Sequence, residues 1–187
     1  MNIPNQLTIL RILLVPIFIY FLLSDYIENN LLYALIVFIL ASVTDFFDGK
    51  IARKAGLITD FGKFLDPLAD KILVLSAFVC FVELGLIGAI PVIIMLTREF
   101  LVTSIRLSAS SSGKVVSANI LGKIKTFTQM ISICLILFFK HLSKFIDQVD
   151  YGFCEVTFNL LIIASVIFST ISGYTYIKEN LRYIKLK

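Results

Sequence analysis

The chain has 187 residues, of which 58% are hydrophobic and 16% are charged, and its mean hydropathy is +0.94. Soluble domains carry about 25% charged residues, so this composition excludes an ordinary water-soluble protein and indicates an integral membrane protein. The formal net charge of +4 is spread over several connecting segments, which favours attraction to anionic lipid and argues against nucleic-acid binding.

Apolar runs in the chain are long enough to cross about 30 Å of hydrocarbon as helices of about 20 residues. They are continuously apolar and do not alternate with a period of two, which favours helices over a transmembrane barrel. In chain order the predicted spans are 7–23, 31–49, 65–84, 88–107, 123–140 and 157–177. We therefore predict an all-α integral membrane protein with six transmembrane helices. No linker rich in Pro, Gly or Ser divides it, so residues 1–187 are expected to form a single membrane-embedded domain.

Basic residues are concentrated on one side of the predicted spans. That side holds Arg11 and the segments 50–71, 98–125 and 178–187, whereas the other side holds Lys140 and Lys144. Lys and Arg beside membrane spans are retained in the cytoplasm. The pattern predicts a multi-pass protein of a bacterial-type plasma membrane with both termini in the cytoplasm.

Four aspartates follow a fixed spacing between the second and third predicted spans. The stretch reads D-x-x-D-G-x-x-A-R, then eight residues, then G-x-x-x-D-x-x-x-D, and it contains Asp45, Asp48, Asp66 and Asp70. On helices, residues three or four apart project from one face, so each pair of carboxylates would point the same way. Carboxylates so close together repel, and hard divalent cations such as Mg²⁺ or Mn²⁺ relieve that repulsion. The pattern predicts metal-assisted chemistry on a phosphate at the membrane surface.

Any one of these aspartates has a simpler interpretation, because it could cap a helix or pair with a neighbouring Lys or Arg. The complete pattern is harder to explain in that way. Eight fixed identities at about 6% each over about 160 starting positions occur by chance on the order of once in ten million chains.

The stretch resembles the signature of the CDP-alcohol phosphatidyltransferase family. The match covers Asp45, Asp48, Gly49, Ala52, Arg53, Gly62, Asp66 and Asp70. The resemblance implies a bundle of six membrane helices, often a homodimer, in which all four aspartates surround the metal ions. It also implies that Asp70 is the general base, which takes the proton from an alcohol hydroxyl that attacks CDP-diacylglycerol and releases CMP.

The same resemblance implies two groups of contacts to CDP-diacylglycerol. One group lies in the signature stretch and comprises Asp45, Asp48, Gly49, Arg53 and Thr59. The other lies in the N-terminal I-P-N-Q-L-T-I-L-R and comprises Asn5, Thr8 and Arg11. Alternatively, Asn5 or Thr8 caps the first helix, and Arg11 extends to the lipid headgroups.

Two further segments resemble the branch of the family whose acceptor is glycerol 3-phosphate. They are T-R-E-F-L-V-T-S-I-R-L at 97–107 and G-K-I-K-T at 122–126. The resemblance implies that the cations of these segments bind the acceptor phosphate near the aspartates. These cations are Arg98, Arg106, Lys123 and Lys125. Alternatively, Arg98 pairs with Glu99 or a motif aspartate, Glu99 pairs with Arg106, and the lysines only supply cytoplasmic charge.

The motif is also compatible with other activities. The same chemistry could use inositol phosphate, serine or phosphatidylglycerol as acceptor. A divalent-cation transporter is an alternative of another class, because carboxylates within a membrane also mark ion pathways. The aspartates lie toward the cytoplasmic ends of their spans and we find no internal repeat, both of which argue against transport.

Overall fold

The computed structural model describes residues 3–55, 60–111, 120–144 and 151–180, and within those ranges the chain forms six helices and no strand. The side chains at 3–5, 45–55, 60–67, 70, 110–111, 151 and 153 lie outside the description. The helices are α1 (Ile3–Leu23), α2 (Asn30–Ala55), α3 (Asp60–Glu83), α4 (Ala89–Ser111), α5 (Ile120–Leu142) and α6 (Tyr151–Asn180). The prediction of an all-helical protein is confirmed.

Most of the helices extend beyond the apolar runs that predicted them. The second run ends at 49, whereas α2 continues to Ala55, and the sixth run covers 157–177, whereas α6 covers Tyr151–Asn180. A helix is held by backbone hydrogen bonds between residues i and i−4, which form equally well under polar side chains outside the hydrocarbon. The ends of the apolar runs therefore do not mark the ends of the helices.

Three helices in the described part of the chain are individually long and apolar enough to cross a membrane. The segments are Gln6–Leu23, Ile120–Leu142 and Cys154–Asn180, with mean hydropathies of 2.2, 1.5 and 1.9. The described apolar part of α2 is shorter and covers Asn30–Thr44. By length and composition these helices agree with the predicted membrane protein.

The first of two compact units comprises Met1–Leu84 and Ile133–Cys154. Within it α1 packs against both α2 and α3. The rings of Phe18 and Phe38 lie 5.7 Å apart between α1 and α2, and both side chains are fully buried. At one end of this unit, Lys144 Nζ donates a hydrogen bond to Asn30 Oδ1 at 2.8 Å. Asn30 Nδ2 in turn donates to the carbonyl oxygen of Ser24 at 2.8 Å. The bond from Lys144 to Asn30 therefore joins the two separate segments of this unit.

The second compact unit comprises Gly85–Ser132 and Glu155–Lys187, that is, α4, the first part of α5 and most of α6. Buried hydroxyls line the contact between α5 and α6, where Ser132 Oγ lies 3.0 Å from Ser165 Oγ. Small residues with hydroxyl groups allow membrane helices to approach closely. Because α5 contributes to both units, neither unit is one continuous segment of the chain. A single domain over residues 1–187 stays a prediction.

Candidate functional site

The aspartate pairs lie on two helices of the first unit. Asp45 and Asp48 belong to α2, and Asp66 and Asp70 belong to α3. These helices contact each other as well as α1. A helix therefore runs through each pair of aspartates, as the spacing predicted.

The directions of the four carboxylates lie outside the described side chains. Among the described residues, no group of three or more His, Cys, Asp or Glu side chains is placed to hold a metal ion. Several other predicted contacts also lie outside the described side chains, namely Asn5, Gly49, Arg53 and Thr59. The metal site, the role of Asp70 and these nucleotide contacts stay predictions.

Thr8 and Arg11 on α1 are both buried, with only 1% of each residue exposed. Since α1 begins at Ile3, Thr8 lies in its second turn, and the interpretation of Thr8 as the helix cap is wrong. The interpretation that Arg11 extends to the lipid headgroups is also wrong, because its side chain is enclosed by protein. A buried guanidinium is stable only with polar or charged partners, and Arg11 does interact with other groups of the chain.

Two of the four predicted acceptor-site cations meet at one carboxylate in the second unit. Arg98 Nη1 donates to Glu99 Oε1 at 2.7 Å, and Lys125 Nζ donates to the same oxygen. Glu99 and Lys125 are buried, with 7% and 5% of their surfaces exposed. The alternative in which Arg98 pairs with Glu99 is therefore confirmed. Two cations share one carboxylate oxygen here, so the pairing of Arg98 with Glu99 does not by itself neutralise the site.

A serine on α6 completes this group of side chains. Arg98 Nη2 donates a hydrogen bond to Ser172 Oγ at 2.7 Å. We call Arg98, Glu99, Lys125 and Ser172 the Arg98 cluster. A guanidinium carries five N–H donors, and the bonds to Glu99 and Ser172 use two of them. Arg98 Nε has no hydrogen-bond partner in the part of the chain that the structure describes. Arg98 therefore has N–H donors beyond those that Glu99 and Ser172 engage.

The other two predicted cations have different surroundings. The guanidinium of Arg106 lies 5.8 Å from the centre of the Tyr176 ring, in a cation–π arrangement. Lys123 is exposed on α5. Among the described residues, no hydrogen bond or ion pair joins Arg106 or Lys123 to the Arg98 cluster. The alternative in which Glu99 pairs with Arg106 is not found among the described ion pairs, in which Glu99 pairs with Arg98 and Lys125.

The contribution of α6 to the Arg98 cluster was not predicted from the sequence. Ser172 lies 74 positions from Arg98, so no local spacing connects them. A weaker signal was present in the serines at 165, 169 and 172, which recur at helical spacing in an otherwise apolar helix. Such a stripe indicates a face that packs against another helix.

Comparison with known proteins defines the class of this membrane protein. The family model for CDP-alcohol phosphatidyltransferase matches residues 1–171. The chain belongs to the CDP-alcohol phosphatidyltransferase family, as the aspartate motif predicted, and enzymes of this family generally depend on a divalent metal.

Relatives point to one branch of the family. The chain is 40% identical to the CDP-diacylglycerol–glycerol-3-phosphate 3-phosphatidyltransferase of Bacillus subtilis, and the match covers 98% of this chain and 97% of the relative. It is 36% identical to the protein of the same name from Rickettsia felis, with 97% of each chain covered. It is also 36% identical to a Mycobacterium tuberculosis protein named probable phosphatidylglycerophosphate synthase, over 98% of this chain and 83% of the relative.

Proposed function

We propose that this protein transfers the phosphatidyl group of CDP-diacylglycerol to sn-glycerol 3-phosphate, which yields phosphatidylglycerophosphate and CMP. The observation that carries the proposal is the complete aspartate motif in a chain whose near full-length relatives are named for this reaction. The Arg98 cluster supports the choice of acceptor, because a buried lysine and a half-buried arginine on one carboxylate oxygen suit a substrate that already bears a phosphate.

The donor set of the motif suits a hard divalent cation. Asp45, Asp48, Asp66 and Asp70 offer only carboxylate oxygens, which Mg²⁺ and Mn²⁺ prefer, and these four residues would hold the metal. When bound, the metal supplies charge stabilisation to the diphosphate as the leaving group departs.

Asp70 is the proposed general base. Its carboxylate takes the proton of the acceptor hydroxyl while the hydroxyl oxygen forms a bond to the lipid-side phosphorus of CDP-diacylglycerol. The bond from that phosphorus to the oxygen of the CMP phosphate breaks, and CMP leaves with the bonding electrons.

The nucleotide lipid is proposed to contact residues from α1 and from the motif segment. The burial of Thr8 and Arg11 supports this proposal for α1, because both side chains face protein and not lipid. The complete proposed set is Asn5, Thr8, Arg11, Asp45, Asp48, Gly49, Arg53 and Thr59. The acceptor phosphate is assigned to Arg98 and Lys125, with Arg106 and Lys123 as further cations of the same segments.

We also propose a location and an assembly for the enzyme. The distribution of Lys and Arg favours a bacterial-type plasma membrane with both termini and the active site on the cytoplasmic side. Residues 1–187 then act as one catalytic domain, and two copies associate as a homodimer, as the family resemblance implies. Light scattering of the purified protein would distinguish a dimer from a monomer.

The reaction can be tested by measuring CMP release from purified protein in detergent. CDP-diacylglycerol is supplied with glycerol 3-phosphate, inositol phosphate, serine or phosphatidylglycerol, each with and without a metal chelator. We expect release only with glycerol 3-phosphate, its loss on chelation, and its recovery with Mg²⁺ or Mn²⁺. Faster release with another acceptor would overturn the acceptor assignment, and unchanged release after complete chelation would overturn the metal assignment.

A further inference from the structure

Two adjacent residues of α6 form the surface against which Arg98 lies. Ser172 Oγ accepts a hydrogen bond from Arg98 Nη2 at 2.7 Å, and only 1% of Ser172 is exposed. A Cβ atom built at Gly173 would lie 2.7 Å from Arg98 Cγ and 3.5 Å from Arg98 Nε. Carbon atoms do not approach to 2.7 Å without a shift, so residue 173 must lack a side chain for Arg98 to occupy this position.

Gly173 is required by packing and not by its backbone conformation. Its φ lies outside the left-handed region that favours glycine, which the described glycines reach only at Gly85, with a φ of 65°. The atom it meets is Cγ, near the base of the Arg98 side chain. Displacement of Cγ moves the whole guanidinium, because the rest of the side chain is attached to it.

The Arg98 side chain is therefore held by three contacts, two to its guanidinium and one to its aliphatic stem. Glu99 Oε1 holds Nη1, Ser172 Oγ holds Nη2, and the bare backbone at Gly173 accepts the aliphatic stem. A long side chain held in its binding geometry before the ligand arrives loses less freedom on binding, which increases affinity.

We propose that Ser172 and Gly173 are positioning residues for recognition of the acceptor phosphate, because they set the direction in which Arg98 presents its remaining N–H donors. This inference rests on the proposed function, in which Arg98 binds the phosphate of glycerol 3-phosphate. It adds two residues of α6 that contact the substrate only through Arg98.

The test compares Gly173→Ala with the matched variant Gly88→Ala in purified full-length protein. At Gly88 the new methyl group would lie 3.8 Å from Pro91 Cδ, which is an ordinary contact. We expect Gly173→Ala to raise the KM for glycerol 3-phosphate about tenfold or more, since a displaced guanidinium loses a charge-assisted hydrogen bond. The KM for CDP-diacylglycerol should change by less than about twofold, and Gly88→Ala should leave both constants unchanged.

Ser172→Ala provides a second test that adds no bulk. It removes the acceptor of the Arg98 Nη2 hydrogen bond, and we expect the KM for glycerol 3-phosphate to rise about tenfold. This variant decides the question if Gly173→Ala does not yield folded protein, as judged by thermal unfolding without substrate.

A double-mutant cycle with Arg98→Ala separates positioning from general packing. Alanine has no Cγ, so Gly173→Ala and Ser172→Ala should each cause no further rise in KM in the Arg98→Ala background. An equal rise in the KM of both substrates for Gly173→Ala would overturn the inference.

The two proposals fail in different ways. If Arg98→Ala leaves the KM for glycerol 3-phosphate unchanged, the phosphate-binding role of Arg98 in the proposed function is wrong. If Arg98→Ala raises that KM while Gly173→Ala and Ser172→Ala do not, the positioning role is wrong and the proposed function stands.

Discussion

At the scale of single residues, two lysines that look alike in the sequence have different environments. Lys123 and Lys125 are two positions apart on α5, which places them on different faces of a helix with 3.6 residues per turn. Lys125 is buried against Glu99, whereas Lys123 is exposed. The sequence assigned both lysines to phosphate binding, but Lys125 is fixed within the protein and Lys123 extends from its surface.

We predict that Lys125→Met lowers the free energy of unfolding by about 1.5–3 kcal/mol, because it removes a charge-assisted hydrogen bond from a buried carboxylate. Arg98 still contacts Glu99 in this variant, which limits the loss. Lys123→Met should change stability by less than about 0.5 kcal/mol. Thermal unfolding in detergent measures both values, and equal effects of the two variants would contradict the prediction.

Asp70→Asn tests the proposed general base. The amide keeps the shape of the carboxylate but cannot accept the proton, so we expect kcat to fall about 10²–10⁴-fold. Asp25→Asn is a matched control, because Asp25 is exposed in the turn between α1 and α2. It should retain full CMP release. Turnover of Asp70→Asn close to that of the unchanged protein would show that another group takes the proton.

At the scale of helices, the sequence predicted the number of elements and their approximate centres. It did not predict which face of α6 is buried, because a helix that is apolar nearly all round carries no contrast between its faces. The face is instead marked by serines, and Ser165 and Ser169 are both fully buried. Polarity within an apolar helix was the more informative pattern.

Substitutions at Ser165 distinguish hydrogen bonding from close packing between α5 and α6. We predict that Ser165→Ala costs about 0.6 kcal/mol of stability, the typical value for such a bond between membrane helices. Ser165→Leu should cost about 1–3 kcal/mol, because there is no space for a larger side chain. Ile163→Leu on the exposed side should have little effect. Denaturation in detergent measures the stability of all three variants. Similar losses of stability in Ser165→Ala and Ser165→Leu would show that close packing is not the main contribution of Ser165.

At the scale of the whole molecule, the sequence predicted the family and its chemistry better than the contacts that support them. The aspartate motif is local, so its spacing can be recognised without a fold. The pairing of Arg98 with Glu99 was also within reach, because the two residues are adjacent. The roles of Ser172 and Gly173 could not be predicted from the sequence, since only the packing of α6 places them beside Arg98.

The predicted orientation in the membrane can be tested with single cysteines in a chain whose three native cysteines are replaced by alanine. Tyr26 is fully exposed between α1 and α2, and Lys178 is exposed near the end of α6. We expect a membrane-impermeant maleimide added to intact cells to label Tyr26→Cys. Lys178→Cys should react only after the cells are permeabilised. The reverse pattern would place the termini outside.

The hydrogen bond between Lys144 and Asn30 has a consequence for biosynthesis. Residues 85–132 separate the two parts of the first unit, so α1, α2 and α3 leave the ribosome well before the segment that completes their unit. At about 5–20 residues per second, translation of that interval takes about 2–10 seconds. During this time the nascent chain holds Asn30 without the lysine that later binds it, and the fifth helix must be inserted before the first three reach their final set of contacts.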